Sequence, residues 1–231
     1  MRRSGRTVLT GAVLAAALSG CGSSQQPNAA TMLSHAKALL DAATSAHFTL
    51  TSTGASGTGV VLRGGSGDMQ RPNSFSGRLD VDISGFTANV DAVSVNGKFF
   101  VRDPLSGTFE TADPSSYGFA DPTGLLDPST GLSSLLTRCQ RPSVLSDDRQ
   151  HGELLHEVSC SLPGQAVAAL LPDAAPDRPV SATIGIVAGS GQLRRVSLTG
   201  PFYSSTSAST FQLVVDRYGE NVRITPPAAA S

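Results

Sequence analysis

Two periodicities divide the chain after its first 30 residues. In TMLSHAKALLDAATSA, which begins at Thr31, apolar side chains recur every three or four positions, as on one face of a helix. The period then changes to two in HFTLTST, TGVVLRGGSGDMQRP, FSGRLDVDISG, FTANVDAVSVNG and KFFVRD, with Gly, Asn or Pro between these segments. The pattern predicts an amphipathic helix followed by consecutive antiparallel strands.

The segment GRLDVDI shows the alternation most clearly. Leu79, Val81 and Ile83 would point to one side of a strand, and the charged residues between them to the other. One face of the sheet is therefore expected to be apolar and the other solvated, so Asp80 and Asp82 are interpreted as surface residues and not as a general acid/base pair. Asn96-Gly97 is typical of a tight hairpin turn.

The middle of the chain has a different pattern. Pro and Gly interrupt two short apolar pieces, GLLD and GLSSLLTR, which are typical of short helices joined by turns. PGQAVAALLPD predicts a further short helix, and RPVSATIGIVAGSGQLRRVSLTGPF and STFQLVVDRYGENVRITPP return to strands. The order predicts an α+β fold in which helices cover one face of an antiparallel sheet.

The first 21 residues predict export and lipid attachment. Arg2, Arg3 and Arg6 precede the apolar stretch TVLTGAVLAAALSG, which is too short to span a bilayer. The stretch ends in LSGC, which resembles the bacterial lipobox, whose cysteine is diacylated and becomes the mature N-terminus. Cys21 is then a lipid anchor, because two or more acyl chains hold a protein stably on a membrane. An ordinary secretory signal and an amphipathic core helix are the competing interpretations.

These features divide the chain into a signal peptide (1–20), an acylated N-terminus with a flexible tether (21–30), a single domain (31–227) and a frayed tail (228–231). The whole chain has 17 basic and 18 acidic residues. Cleavage after residue 20 removes three arginines and no acid, which leaves a net charge of −4. A negative charge argues against nucleic acid as a partner.

Only Cys139 and Cys160 remain after Cys21, and a disulfide is the simplest account of them in an exported protein. They bracket two expected strands joined near His151-Gly152. The bond would attach either this hairpin or the end of the preceding helix to the following strand. The four histidines show no ligand spacing with the cysteines, so neither a metal nor another cofactor is expected.

Several segments together resemble one family. LSGC, SAHFTLT, GDMQRPNSFSGRLDVDISG, VNGKFFV, LLDPSTGLSSLL and PVSATIGI look like the LppX/LprA/LprF/LprG lipoproteins of mycobacteria, and the similarity extends to YGENVRITPP. LLDPSTGLSSLL is the most specific of these pieces. The cysteine pair and the Ser/Thr-rich YSSTSAST depart from the family pattern and leave the subgroup open.

The resemblance implies a strongly curved antiparallel half-barrel, similar to the carriers LolA and LolB, with helices on the concave face and an apolar cavity between them. It also implies a carrier that binds a multi-acylated lipid or glycolipid and moves it toward the outer envelope. The protein would face the periplasm-like space from the outer leaflet of the plasma membrane, with an inner-membrane lipid transporter as a further partner. The residues expected to line the cavity are Leu79, Val81, Ile83, Leu125, Leu126, Leu132, Leu135 and Leu136.

Two other functions remain open at this stage. The same leucines and valines could pack against one another, as in most amphipathic strands, in an accessory or signalling lipoprotein that carries nothing. An esterase or acyltransferase is not expected, because the sequence has no G-x-S-x-G, H-E-x-x-H or P-loop pattern.

Overall fold

The computed structural model of the chain describes residues 28–228, except 58, 84, 104, 118, 119 and 205. Cys21 and the predicted signal peptide therefore lie outside the described residues. The helices are α1 (Ala29–Ala42), α2 (Leu132–Thr137) and α3 (Gly164–Ala168), with 3₁₀ turns at Pro114–Tyr117 and Pro122–Leu126. The strands are β1 (Ser45–Thr53), β2 (Val60–Gln70), β3 (Ser74–Ile83), β4 (Phe86–Val95), β5 (Lys98–Arg102), β6 (Phe109–Thr111), β7 (Gln140–Val144), β8 (Asp148–Gln150), β9 (Glu153–Leu162), β10 (Val180–Val187), β11 (Leu193–Gly200) and β12 (Ser209–Asp216).

The described strands form one antiparallel sheet that does not close. Its order is β6-β5-β4-β3-β2-β1-β12-β11-β10-β9-β7, and β8 pairs with β9 outside this path. Strands β1 and β12 join the N-terminal meander to the C-terminal one. The predicted α+β half-barrel is confirmed.

Helix α1 forms where the helical period was found but begins two residues earlier. The Asn28 side chain caps it by accepting a hydrogen bond from the Ala30 backbone N–H at 2.9 Å. The helix ends at Ala42, and β1 follows almost immediately. Its apolar face is buried through Ala29, Leu33, Ala36 and Leu40.

Alternation in β3 follows the prediction until the last residue. Leu79 and Val81 are buried, whereas Ile83 is exposed because the strand extends beyond the core to its hairpin turn. The turns predicted at Asn96-Gly97 and His151-Gly152 are present, with positive φ at all four residues, as two-residue hairpin turns require.

The helical segments lie against one face of the sheet. The 3₁₀ turn Pro122–Leu126 contacts β3 and β4, and α1 contacts α2, β7 and β11. The predicted disulfide between Cys139 and Cys160 is present, with Cα atoms 5.5 Å apart, and it joins the segment after α2 to β9. No helix in the described ranges is long and apolar enough to cross a membrane.

Candidate functional site

A cavity of about 120 Å³ lies between the inner face of the sheet and the helical segments. Strands β1, β2, β3, β11 and β12 form its sheet wall, with side chains that include Phe48, Met69, Phe75, Leu79 and Phe211. Leucines dominate the opposite, helical wall: Leu125, Leu132, Leu135, Leu170 and Leu171. The lining is therefore almost wholly apolar, which suits an acyl chain better than a polar ligand.

Glycines allow close packing within the sheet wall of the cavity. Gly67 pairs with Phe48 of β1 on one side and with Gly77 of β3 on the other, so two neighbouring inner positions have no side chain. A Cβ on Gly67 would lie 2.6 Å from the Phe75 ring and 2.7 Å from a backbone oxygen of β3. Gly65 is a third such position and faces Leu50 and Leu79. The phenyl ring of Phe75 thus packs directly against the glycine pair, in the place that side chains would otherwise take.

Four of the eight residues expected to line the cavity do so in the structure. Leu79 is on the sheet wall, while Leu125, Leu132 and Leu135 are on the helical wall. These four come from three separate segments of the chain. The structure brings them together around one apolar space.

The other four expected residues are placed elsewhere. Val81, Leu126 and Leu136 are buried in the hydrophobic core and do not line this cavity. Ile83 is exposed at the end of β3, beyond the region that the helical segments cover. Its position differs from the prediction because period-two alternation gives the direction of a side chain but not where the core ends.

Several lining residues were not anticipated. Leu170 and Leu171 follow α3 and come from a segment that the sequence showed only to be a short helix. Phe48 and Leu50 alternate in HFTL, and that period of two was a usable signal for an inward position. Nothing local indicated which sheet positions the residues after α3 would cover.

Asp121 is the one ionisable group among the residues that line the cavity in the described chain. One carboxylate oxygen accepts hydrogen bonds from the backbone and the hydroxyl of Thr123, at 3.0 and 2.9 Å. The other accepts a bond from the Ser94 hydroxyl at 3.1 Å. Asp121 therefore caps the 3₁₀ turn Pro122–Leu126 and attaches it to β4, which gives this carboxylate a structural role.

Hydrogen bonds and the disulfide brace the part of the helical wall that α2 forms. The Ser133 hydroxyl at the start of α2 donates to Asp41 of α1 at 2.6 Å, and Lys37 contacts both of these residues. The disulfide then holds the end of α2 to the sheet. By contrast, Leu125, Leu170 and Leu171 are only partly buried and lie in or beside helical segments of one or two turns. In this second part of the wall, the Asp121–Ser94 hydrogen bond attaches the segment around Leu125 to β4.

The histidines of the sheet contact single carboxylates. His47 lies 2.6 Å from Asp68, and His156 lies 2.9 Å from Asp147. Across the residues that the structure describes, no three His, Cys, Asp or Glu side chains come close enough to hold a metal ion.

Comparison with known proteins identifies the relatives of this architecture. A family model described as LppX_LprAFG lipoprotein matches residues 28–224. The lipoarabinomannan carrier proteins LprG of Mycobacterium tuberculosis and Mycobacterium bovis are 28% identical to this chain over 228 residues, which cover 93% of it and 91% of the relatives.

Solved structures show the same fold at lower sequence identity. LprF from Mycobacterium bovis matches with a TM-score of 0.71 at 17% identity, over 87% of this chain and 97% of that one. The lipoprotein LppX of Mycobacterium tuberculosis matches with a TM-score of 0.62, also at 17% identity, over 87% of this chain and 100% of that one.

Proposed function

This chain belongs to the LppX_LprAFG lipoprotein family, and we propose that it is a lipid carrier of the cell envelope. In this proposal, acylated Cys21 anchors the protein to the outer leaflet of the plasma membrane. The cavity holds the acyl chains of a multi-acylated lipid or glycolipid, and the protein moves this cargo across the periplasm-like space. The observation that carries the proposal is the apolar cavity between the sheet and the helical segments.

The size of the cavity determines how such a carrier must work. At about 120 Å³ it is comparable to an apolar protein cavity of roughly 150 Å³ that binds benzene. A long acyl chain is much larger, so the walls must part to admit it. We expect them to do so at the partly buried Leu125, Leu170 and Leu171. Around Leu125, this movement would have to break the Asp121–Ser94 hydrogen bond to β4.

The energetics favour such an opening. Each methylene that moves from water into apolar surroundings contributes roughly 0.8 kcal/mol, so about eight buried methylenes contribute about 6 kcal/mol. That free energy can offset the separation of a few half-buried leucines from the sheet. Loading and release then require only movement of the helical wall, and no bond is broken.

A second candidate function is an accessory or signalling lipoprotein with a packed core. The small cavity and the burial of Val81, Leu126 and Leu136 in the core favour it. The two functions differ in one property, which is whether the helical wall can move far enough to admit cargo. An inner-membrane transporter as a partner is expected from the family resemblance alone.

Native mass spectrometry of the full lipoprotein, purified from a mycobacterial host, tests the proposal. Denaturation releases non-covalent cargo but leaves the acyl groups on Cys21, so anchor and cargo are read separately. We expect a stoichiometric two- or three-chain lipid that is lost on denaturation. A protein that carries only its covalent anchor, and takes up none of the lipids offered, would support the accessory lipoprotein instead.

A Cys21→Ala variant is the matched control for this measurement. It should lack the covalent acyl mass and be found in the extracytoplasmic soluble fraction, while it still binds cargo. Loss of the cargo together with the anchor would mean that the detected lipid belonged to the membrane attachment and not to the cavity.

A further inference from the structure

Exposed apolar side chains concentrate at one end of the sheet. The most exposed large hydrophobic residues of the described chain are Ile83 (42%), Phe86 (79%), Leu105 (96%) and Leu145 (45%). Ile83 and Phe86 flank the turn between β3 and β4, and Leu105 lies in the loop between β5 and β6. Because β5 runs antiparallel to β4, both loops point toward the same end, and β5 stops beside Asp91, five residues along β4 from Phe86. This end, defined by Ile83, Phe86 and Leu105, is called the apolar tip below.

Hydrogen bonds to aspartates hold both loops in place. Asp82 accepts a hydrogen bond from the Gly85 backbone N–H at 2.7 Å. In the same way, Asp103 accepts bonds from the backbone N–H groups of Leu105 and Ser106, at 2.8 and 2.6 Å. The polar side chains of each loop thus bond to the backbone, and the apolar side chains are left facing outward.

The charged groups of the apolar tip are few and already have partners. The β1–β2 loop reaches the same end, because Val60 pairs with Ile83. In residues 54–60, 83–90 and 103–109 the only charged residue is Asp103, and Asp82, which precedes the β3–β4 turn, is paired with Arg63 at 3.0 Å. The Asp103 carboxylate already binds the loop backbone. A partner of this tip therefore needs to supply apolar surroundings and no complementary charge.

We propose that the apolar tip inserts into the interfacial region of a lipid bilayer. Two narrow loops with single apolar side chains at their ends suit insertion between lipids, whereas a stable protein interface needs about 800 Å² from each partner. The predicted anchor also keeps a bilayer within about 25 Å of Asn28, because seven residues separate it from Cys21.

The apolar tip and the cavity share strand β3. Ile83 at the tip lies four residues after Leu79, a distance of about 13 Å along β3. Insertion of the tip would therefore bring the sheet wall of the cavity close to the bilayer. Docking itself is independent of the proposed carrier function, but its use in cargo exchange rests on that function.

The chain contains no tryptophan, so a single introduced tryptophan reports its own surroundings. We would place the full lipoprotein with Phe86→Trp in phosphatidylcholine vesicles, and prepare Leu105→Trp in parallel. In the vesicles, each tryptophan should emit at a shorter wavelength than in the same variant with its anchor removed, measured in detergent-free solution. Lipids with brominated acyl chains should quench this emission. Because the tip has little charge, the quenching should not change with salt.

Leu145→Trp is the control, since Leu145 is also exposed, at 45%, but follows β7 at the other edge of the sheet. Its tryptophan should stay in water and remain unquenched. The proposal is overturned if Phe86→Trp and Leu105→Trp behave like this control. It is also overturned if their emission shifts without bromine quenching and the shift grows with protein density, because the tip would then bind a second copy of the chain.

A double variant, Phe86→Ser with Leu105→Ser, tests membrane docking separately from lipid binding in the cavity. We expect the rate of lipid uptake from vesicles to fall about tenfold, with the amount bound at equilibrium unchanged. If no variant takes up lipid, the carrier function fails while the quenching result still decides docking. If quenching is present in the Phe86→Trp and Leu105→Trp variants but uptake by the double variant is unchanged, docking has no part in exchange.

Discussion

The inner face of the sheet differs between strands β2 and β3 on one side and β9 and β10 on the other. In β2 and β3, Gly65, Gly67 and Gly77 occupy inward positions beside the cavity. In β9 and β10, the paired inward residues Val158 and Ile184 are fully buried and leave no such space. The pairing of β9 with β10 is continuous, whereas the register of β2 against β3 shifts between Leu62 and Gly64, so the two regions differ in inward side-chain volume and in strand pairing.

This contrast determines how each region should respond to mutation. In the packed region, the free energy of folding depends on each buried methyl group, because protein interiors are close-packed. In the cavity region, the same change removes fewer contacts, and added volume should interfere with cargo instead. The predictions below compare the two regions, beginning with the largest expected effect.

The largest effect is expected from two tryptophan substitutions on one strand. Leu79→Trp should abolish lipid binding, because the indole would fill a cavity of about 120 Å³. Ile83→Trp, two inward positions further along β3, should leave binding intact, since Ile83 does not line the cavity. Bound lipid is measured by native mass spectrometry.

Unfolding in urea should show that both variants are folded. Leu125→Trp places the same indole at a half-buried lining position and replaces Leu79→Trp if that variant does not fold. If both lining variants still bound lipid, this cavity would not be the binding site.

Alanine substitutions should lower the free energy of unfolding by different amounts in the two regions. Ile184→Ala, in the packed region, should lower the free energy of unfolding by about 4 kcal/mol, because a fully buried side chain leaves a void behind. Leu125→Ala should lower it by only about 1 kcal/mol, since Leu125 is already partly exposed beside an existing cavity. Equilibrium unfolding in urea measures both values, and equal losses would contradict the distinction.

A smaller effect is expected where a glycine permits close packing. Gly67→Ala should cost about 1–3 kcal/mol, because the new methyl group would meet the Phe75 ring and the backbone of β3. Gly189→Ala is the control, since a Cβ there meets nothing within 4 Å, and it should change stability by no more than about 0.5 kcal/mol. Similar values for the two would show that Gly67 is not needed for this packing.

The smallest effects concern pH. Hydrogen bonds from the backbones of Thr130 and Ser129 lower the pKa of Asp127 from its ordinary 3.8. Stability from this group is therefore present above that value and is lost as the pH falls through the lowered pKa. Asp127→Asn should lose less stability on acidification than the parent chain does.

Glu157, buried on β9, should act in the opposite direction. Burial raises its pKa above the ordinary 4.5, although Arg195 at 2.7 Å opposes this shift. Between 4.5 and the raised value, the unfolded chain holds fewer protons than the folded one, so stability falls as pH rises. Glu157→Gln should remove this fall, and urea unfolding at a series of pH values would show whether it does.

Features encoded over a few residues could be predicted from the sequence. The periods of α1 and β3, and the turns at Asn96-Gly97 and His151-Gly152, depend on local backbone preferences. Helix α1 begins two residues before its predicted start, because the Asn28 side chain caps it there.

The cavity itself depends on contacts between distant segments. Leu170 and Leu171 reach the same space as Leu79 only because the segment after α3 folds back over the sheet. Periodicity gave the direction of Leu79 and Val81 correctly, but it could not show that only Leu79 borders a gap or that Ile83 lies beyond the core.

The most direct test of the carrier account is to map where an acyl chain lies in the full lipoprotein. A lipid with a photoactivatable group midway along one chain would be loaded and cross-linked, and the labelled peptides identified by mass spectrometry. The account predicts adducts in residues 120–126 and 165–172 and in the facing part of β2 and β3. Adducts confined to β9 and β10 or to the outer face of the sheet, or no adducts at all, would contradict it.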